Sequence, residues 1–164
     1  MADGPIHDCI DRWHAHLRGN LDGGLESLLH EDCVFLSPVV FSPQRGRELT
    51  TMYLTAAGGT LGGGSSKDAA SNDGSSPSGD LSALGEGGAF GYTKHILQGH
   101  HAMLEFETTM YDADAGRDCL VNGVDIITCD DDGMIVEFKV MIRPLQAINL
   151  VHAQMKAALE SMTS

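Results

Sequence analysis

The stretch from Cys119 to Ile142 reads CLVNGVDIITCDDDGMIVEFKVMI, and its pattern decides the fold. Two apolar, β-branched runs, Cys119 to Cys129 and Met134 to Ile142, flank the turn Asp131-Asp132-Gly133. Aspartate followed by glycine between such runs is a hairpin signal, because glycine takes the left-handed backbone that a tight turn requires. The two runs are therefore expected to pair as antiparallel strands. One residue breaks the apolar pattern. Asp125 stands between Val124 and Ile126 in what should be a central strand.

Upstream, Tyr92 to Gln98 and His101 to Met110 also read as strands. In the second, Leu104 and Phe106 alternate with Glu105 and Glu107, and Asp112 to Gly116 makes the following turn. Four strands in a meander give an antiparallel sheet. Before them the period changes. Ile6, Ile10, Trp13 and Leu17 fall on one helical face, with Pro5 suited to the first turn and Asp3 or Gly4 to the cap. A short second helix capped by Asp22 would bury Leu25, Leu28 and Leu29, and Cys33 to Ser37 reads as a short strand stopped by Pro38. Gly46 to Ala57 reads as a third helix with Leu49, Met52 and Tyr53 on its apolar side. At the other end, Arg143-Pro144 opens a last helix. Its expected face is Leu145, Ile148, His152, Met155, Leu159 and Met162. Helices on one face of a curved antiparallel sheet make an α+β domain with a natural pocket between the layers.

Residues 58–91 differ in composition from everything around them. Glycine and serine dominate, and large apolar side chains are almost absent. Such a segment cannot offset the entropy of ordering, so it is expected to be a flexible insert within one domain spanning residues 1–164. The alternative is a lid over the pocket, anchored by Leu81 and Leu84.

With 164 residues, 42% of them apolar, the chain has one domain's worth of core. Its formal net charge of −13 opposes phosphate backbones and anionic membranes, which excludes nucleic acid as a partner. No apolar run approaches the roughly 20 residues of a membrane span. The first residues lack the basic and apolar regions of a secretory signal, so a cytoplasmic location is expected. Cys9, Cys33, Cys119 and Cys129 form no CxxC pair and are expected to be reduced thiols rather than zinc ligands. No cofactor is implied, because the glycines at 58–64 do not join a strand to a helix as a phosphate loop would.

The element order resembles the NTF2-like superfamily (a cystatin-like cone), which includes SnoaL-like polyketide cyclases, ketosteroid isomerase and the nuclear transport factor. Two stretches carry the resemblance. One runs from Asp11-Arg12-Trp13 through Leu21-Asp22, Leu28-Leu29, Glu31-Asp32 and Ser37-Pro38 to Gly46. The other runs from Val121 to Ile142. The resemblance implies a cone of curved sheet wrapped around the N-terminal helices, with the last helix added. Laid on the isomerase pattern, Asp125 falls on the protonated aspartic acid that binds the developing oxyanion, Trp13 on the partnering tyrosine, and Ser37 on the carboxylate base. Serine has no useful basicity by itself and tryptophan no acidic hydroxyl, so the same steroid isomerisation is not expected. The Asp-Arg-Asp set of the epoxide hydrolases of this superfamily cannot be rebuilt either.

Asp125 is thus the candidate catalytic residue. A buried carboxyl in that strand would have a raised pKa and serve as acid or hydrogen-bond donor. The alternative is an aspartate paired with a helix residue or lying at a strand end in water. Trp13, Ser37 and Tyr53 are the candidate ligand-binding residues around it. Each also has a plain structural role open to it: core, strand end and helix face. Glu105 and Glu107 read better as a solvated face with Lys94 as partner than as paired catalytic carboxylates. His100 and His101 point opposite ways on one strand and do not suit one metal ion. The expected partners are a small apolar ligand and a second copy of the chain, paired through the outer sheet face. A non-catalytic dimerisation or ligand-binding module is the competing reading.

Overall fold

The computed structural model describes residues 4–61 and 90–163. The order is α1 (Pro5–Leu17), a 3-10 turn (Leu25–Ser27), β1 (Leu29–Leu36), β2 (Gln44–Arg45), α2 (Arg47–Leu61), β3 (Gly91–Gln98), β4 (His101–Asp112), β5 (Arg117–Cys129), β6 (Ile135–Arg143) and α3 (Leu145–Met162). The strands form one sheet in the order β2-β1-β6-β5-β4-β3. The meander from β3 to β6 is antiparallel, and β1 adds to β6 in parallel, so the whole sheet is mixed. A parallel join needs a long crossover, and the chain between β1 and β6 supplies one through α2 and the meander.

Alternation sets the inner face. In β4, Ala102, Leu104, Phe106, Thr108 and Met110 are buried, and in β5 Val121, Asp125, Ile127 and Cys129 are. Register places Leu104 opposite Asp125 and Phe106 opposite Gly123, so these side chains share a face. The hairpin turn is as the sequence implies. Gly133 has φ 72°, and Asp130 Oδ1 accepts from the N–H groups of Asp132 and Met134, both at 2.9 Å. Arg12 of α1 caps this turn by donating to Gly133 O at 2.7 Å and pairs with Asp8 at 3.0 Å.

Several boundaries differ from the sequence reading. Gly23 and Gly24 both take left-handed φ, and Leu28 O accepts from Ile135 N–H at 2.8 Å. Sheet pairing therefore claims Leu29, and the expected second helix shrinks to a 3-10 turn whose cap position is Gly24 rather than Asp22. α2 continues through Gly58 and Gly59 to Leu61, four residues into the expected insert. Leu61 is buried, and its carbonyl accepts from Thr108 Oγ1 at 3.0 Å, so tertiary contact overrides the poor propensity of the glycines. Gly91 likewise belongs to β3. The remainder of the expected insert, residues 62–89, lies outside the described residues, as do Leu81 and Leu84.

The buried face of α3 is also rotated. Ala147, Val151 and Met155 pack inward, while Leu145, His152 and Met162 face solvent. The helix presents to the sheet the stripe that can meet the walls of the cone, and small Ala147 fits the closest approach. Cys9 and Cys129 lie buried together where α1 crosses the end of β5, and burial pushes the Cys9 thiol up to about 12. No cysteine is in a disulfide. Among the described residues, no helix is long and apolar enough to cross a membrane.

Candidate functional site

Between the inner sheet face and the helices lies a cavity of about 490 Å³. Six aromatic rings line it. Trp13 enters from α1, Phe35 from β1, Phe90 and Tyr92 from the start of β3, Phe106 from β4 and Phe138 from β6. Phe90 stands 5.1 Å (ring centroids) from both Tyr92 and Phe106, and Trp13 stands 4.9 Å from Phe138. Leu54 and Leu61 of α2, Val140 and Ile142 of β6, and Val151 and Met155 of α3 add to the apolar lining.

Asp125 is the carboxylate in this lining. It projects from the middle of β5, between Leu104 of β4 and Val140 of β6 in register. Tyr92 Oη donates to its Oδ2 at 2.6 Å, and Trp13 Nε1–H donates to Tyr92 Oη at 2.9 Å. Both bonds are buried. The chain of donors runs Trp13 to Tyr92 to Asp125 and ends on the carboxyl. Burial drives the Asp125 pKa up to about 7, against the bond from Tyr92, which favours the ionised form. The Tyr92 phenol is pushed well above its ordinary value, first by burial and then by the neighbouring carboxylate, so it remains a donor.

The space for the Phe106 ring comes from Gly123. A Cβ there would overlap Phe106 Cζ and lie 2.7 Å from Met141 O. Glycine at this position lets the aromatic wall close over β5 two residues before Asp125.

Of the residues expected from sequence, Asp125 and Trp13 come together in the cavity, bridged by Tyr92. Ser37 does not line it. Its Oγ accepts from the N–H groups of Val39 (3.1 Å) and Val40 (3.4 Å), fixing the turn after β1, while its neighbour Pro38 reaches the cavity wall. Tyr53 packs behind Phe35 at 5.5 Å and is likewise not part of the lining. Tyr92 was missed by the sequence reading. The signal for it was present: it opens β3, pairs with Phe106, and thus shares the face of Asp125. His16 was missed as well. It lies at i+3 from Trp13, 5.4 Å from that ring, and burial lowers its pKa, so it is neutral near pH 7.

The other candidates lie outside the cavity. Glu105 faces the outer side, pairs with Lys94 at 3.3 Å, and has its pKa lowered by Asn122 and Lys94, while Glu107 is exposed. Arg143 donates to Asn122 Oδ1 at 2.7 Å. His100 pairs with Asp131 at 2.8 Å at the surface.

No protein-family model and no curated protein matches the chain. Solved structures do. A steroid delta-isomerase from Pseudomonas aeruginosa is 24% identical with a TM-score of 0.72, over 98% of this chain and 96% of that one. An NTF2-like protein of unknown function from Mesorhizobium loti is 18% identical with a TM-score of 0.54, over 85% of this chain and 92% of the other. The fold is NTF2-like. A candidate SnoaL-like polyketide cyclase from Jannaschia sp. CCS1 shares this NTF2-like fold at 12% identity and a TM-score of 0.58, over 93% of this chain and 98% of that one. In this NTF2-like cone, the concave sheet face and α1 carry the Trp13–Tyr92–Asp125 chain, and α2 and α3 roof the apolar wall.

Proposed function

We propose that this protein is a SnoaL-like small-molecule pocket protein acting on an apolar substrate, as an isomerase, cyclase or hydrolase, with Asp125 as acid or hydrogen-bond donor. The observation that carries the reading is an open, apolar cavity lined by six aromatic rings, whose carboxyl group sits on the inner sheet face with a pKa near 7. An acid works best when its pKa lies near the working pH, because it is then both present in its protonated form and able to give the proton up. Tyr92 holds one carboxyl oxygen, so the proton would sit on the other, Oδ1, and point at the ligand. A ring-bearing ketone fits this arrangement: its apolar body meets the aromatic walls and its oxygen accepts from Asp125. The test is a thermal-shift screen of polycyclic and monocyclic ketones against the wild type and Asp125→Ala. Ligands that stabilise only the wild type support the assignment, and equal stabilisation of both removes Asp125 from the site.

A second feature supports self-association alongside the pocket. The outer sheet face exposes Ile96 (64%), Met103 (43%) and Met141 (49%), framed by Lys94, Glu105 and Arg143. Scattered exposed apolar residues are ordinary, but these share one side of β3, β4 and β6 around Val124. A homodimer through this face would cover them. Sedimentation of the wild type and Met103→Glu tests it: a dimer converted to monomer supports the assignment, and a monomeric wild type at tens of micromolar removes it.

A further inference from the structure

The geometry points to an organic ammonium cation as the ligand class of this cavity, held over the aromatic walls with its charge against Asp125 Oδ1. The inference rests on the reading of the cavity as the ligand site, and it goes beyond the acid role of Asp125 by assigning a ligand to its ionised form. Three observations carry it. First, six aromatic rings line one space: Trp13, Phe35, Phe90, Tyr92, Phe106 and Phe138. The negative face of a ring attracts a cation, and the attraction grows where water is excluded. Second, no lysine or arginine is among the described residues that line the cavity, and His16 is neutral near pH 7. Among the described residues, therefore, the carboxyl has no counter-charge in the lining, and an anionic ligand would meet no cation from them. Third, the donor chain ends on Asp125. Trp13 donates to Tyr92 and Tyr92 to Oδ2, while Oδ1 has no hydrogen-bond partner among the described residues. A fixed donor supports the carboxylate form and leaves its second oxygen to accept charge or a hydrogen bond from outside.

Burying a carboxylate that accepts only the Tyr92 hydrogen bond is costly, and this desolvation is what raises its pKa. A cation entering the cavity removes the cost and draws Asp125 into its ionised form. The titratable side chains in the lining are Asp125, Tyr92 and His16, and between pH 6 and 8 Tyr92 stays protonated. Burial lowers the His16 pKa, which disfavours a competing positive charge beside the ligand.

Three probes of similar size separate the possibilities by calorimetry: benzyltrimethylammonium, its uncharged isostere neopentylbenzene, and the neutral acceptor 1-indanone. The quaternary ammonium does not titrate, so pH dependence reports on the protein. Expected is tighter binding of the cation than of its isostere, strengthening about tenfold from pH 6 to 8 as an acid with pKa about 7 ionises. Asp125→Asn keeps an acceptor for Tyr92 and should abolish both the preference and the pH dependence, with circular dichroism confirming its fold. If that variant does not fold, the wild-type profile still decides. Cation binding that ignores pH, or survives unchanged in folded Asp125→Asn, places the cation on the acidic exterior and overturns the inference. Binding of 1-indanone with no preference for the cation over its isostere overturns it too and leaves the pocket reading standing. Failure of all three probes to bind overturns both.

Discussion

Tyr92 Oη and Asp125 Oδ2 lie 2.6 Å apart inside the cone, and this bond ties β3 to β5 across the intervening strand β4. It also sets the acidity of the carboxyl. Removing the donor in Tyr92→Phe should raise the Asp125 pKa further above about 7, because the bond stabilises the ionised form. It would also leave the Trp13 N–H without its acceptor, at a cost of about 1–3 kcal/mol. Carbon-detected NMR titration of the carboxyl reads the first effect and urea denaturation the second.

Asp125 should make the protein less stable as pH rises. Its folded pKa, about 7, lies above the ordinary 3.8, so the folded state holds a proton that the unfolded state has lost between those values. The contribution is fully present below pH 3.8, is lost progressively as pH rises to about 7, and is flat above. Asp125→Asn should remove this slope and be the more stable protein at pH 8, by an amount on the order of a few kcal/mol. Urea melts at pH 5 and pH 8 on both proteins measure it, and a wild type that gains stability from this carboxyl across that interval would contradict the assignment.

His14 should work in the opposite direction. Burial first, and then repulsion from His95, lower its pKa from 6.5 to about 4, and its Nε2 is buried without a hydrogen-bond partner. The unfolded state therefore binds the proton first as pH falls, and stability drops from pH 6.5 to about 4. Replacing it with Phe, which retains a ring beside Tyr92, should flatten that part of the acid limb. Thermal melts between pH 4 and 7 give the comparison.

Gly123→Ala should destabilise the protein and disturb the pocket together. The added methyl overlaps the Phe106 ring and comes within 2.7 Å of the Met141 carbonyl oxygen, a backbone atom that cannot step aside. Overpacking of this kind costs about 1–3 kcal/mol. The ring would be driven toward the cavity, so ligand affinity should fall by more than stability does. A variant as stable as the wild type, with unchanged ligand binding, would show that the ring has room elsewhere.

Much of this molecule was determined locally. The Asp132-Gly133 turn, the alternation of Leu104 and Phe106 against Glu105 and Glu107, and the stripe Ile6, Ile10 and Trp13 act through neighbours a few residues apart. Backbone sterics and period alone specify them, and with them the hairpins of the sheet. What needed tertiary structure was whatever depends on partners far along the chain. The Tyr92–Asp125 bond joins residues 33 apart and the Trp13–Tyr92 bond residues 79 apart. No local pattern encodes such a meeting. The same holds where local preference lost. Leu61 stays helical beyond two glycines because Thr108, 47 residues away, holds its carbonyl. Leu29 leaves a helix because Ile135 offers it a strand. Ser37 turns aside because the N–H groups of Val39 and Val40 claim its hydroxyl. Asp125 was legible as the one acid interrupting an apolar strand, with burial and a place in water both open to it. That it ends a chain of donors in a cavity lined by aromatic rings was decided by the curved sheet and the helices closing around it.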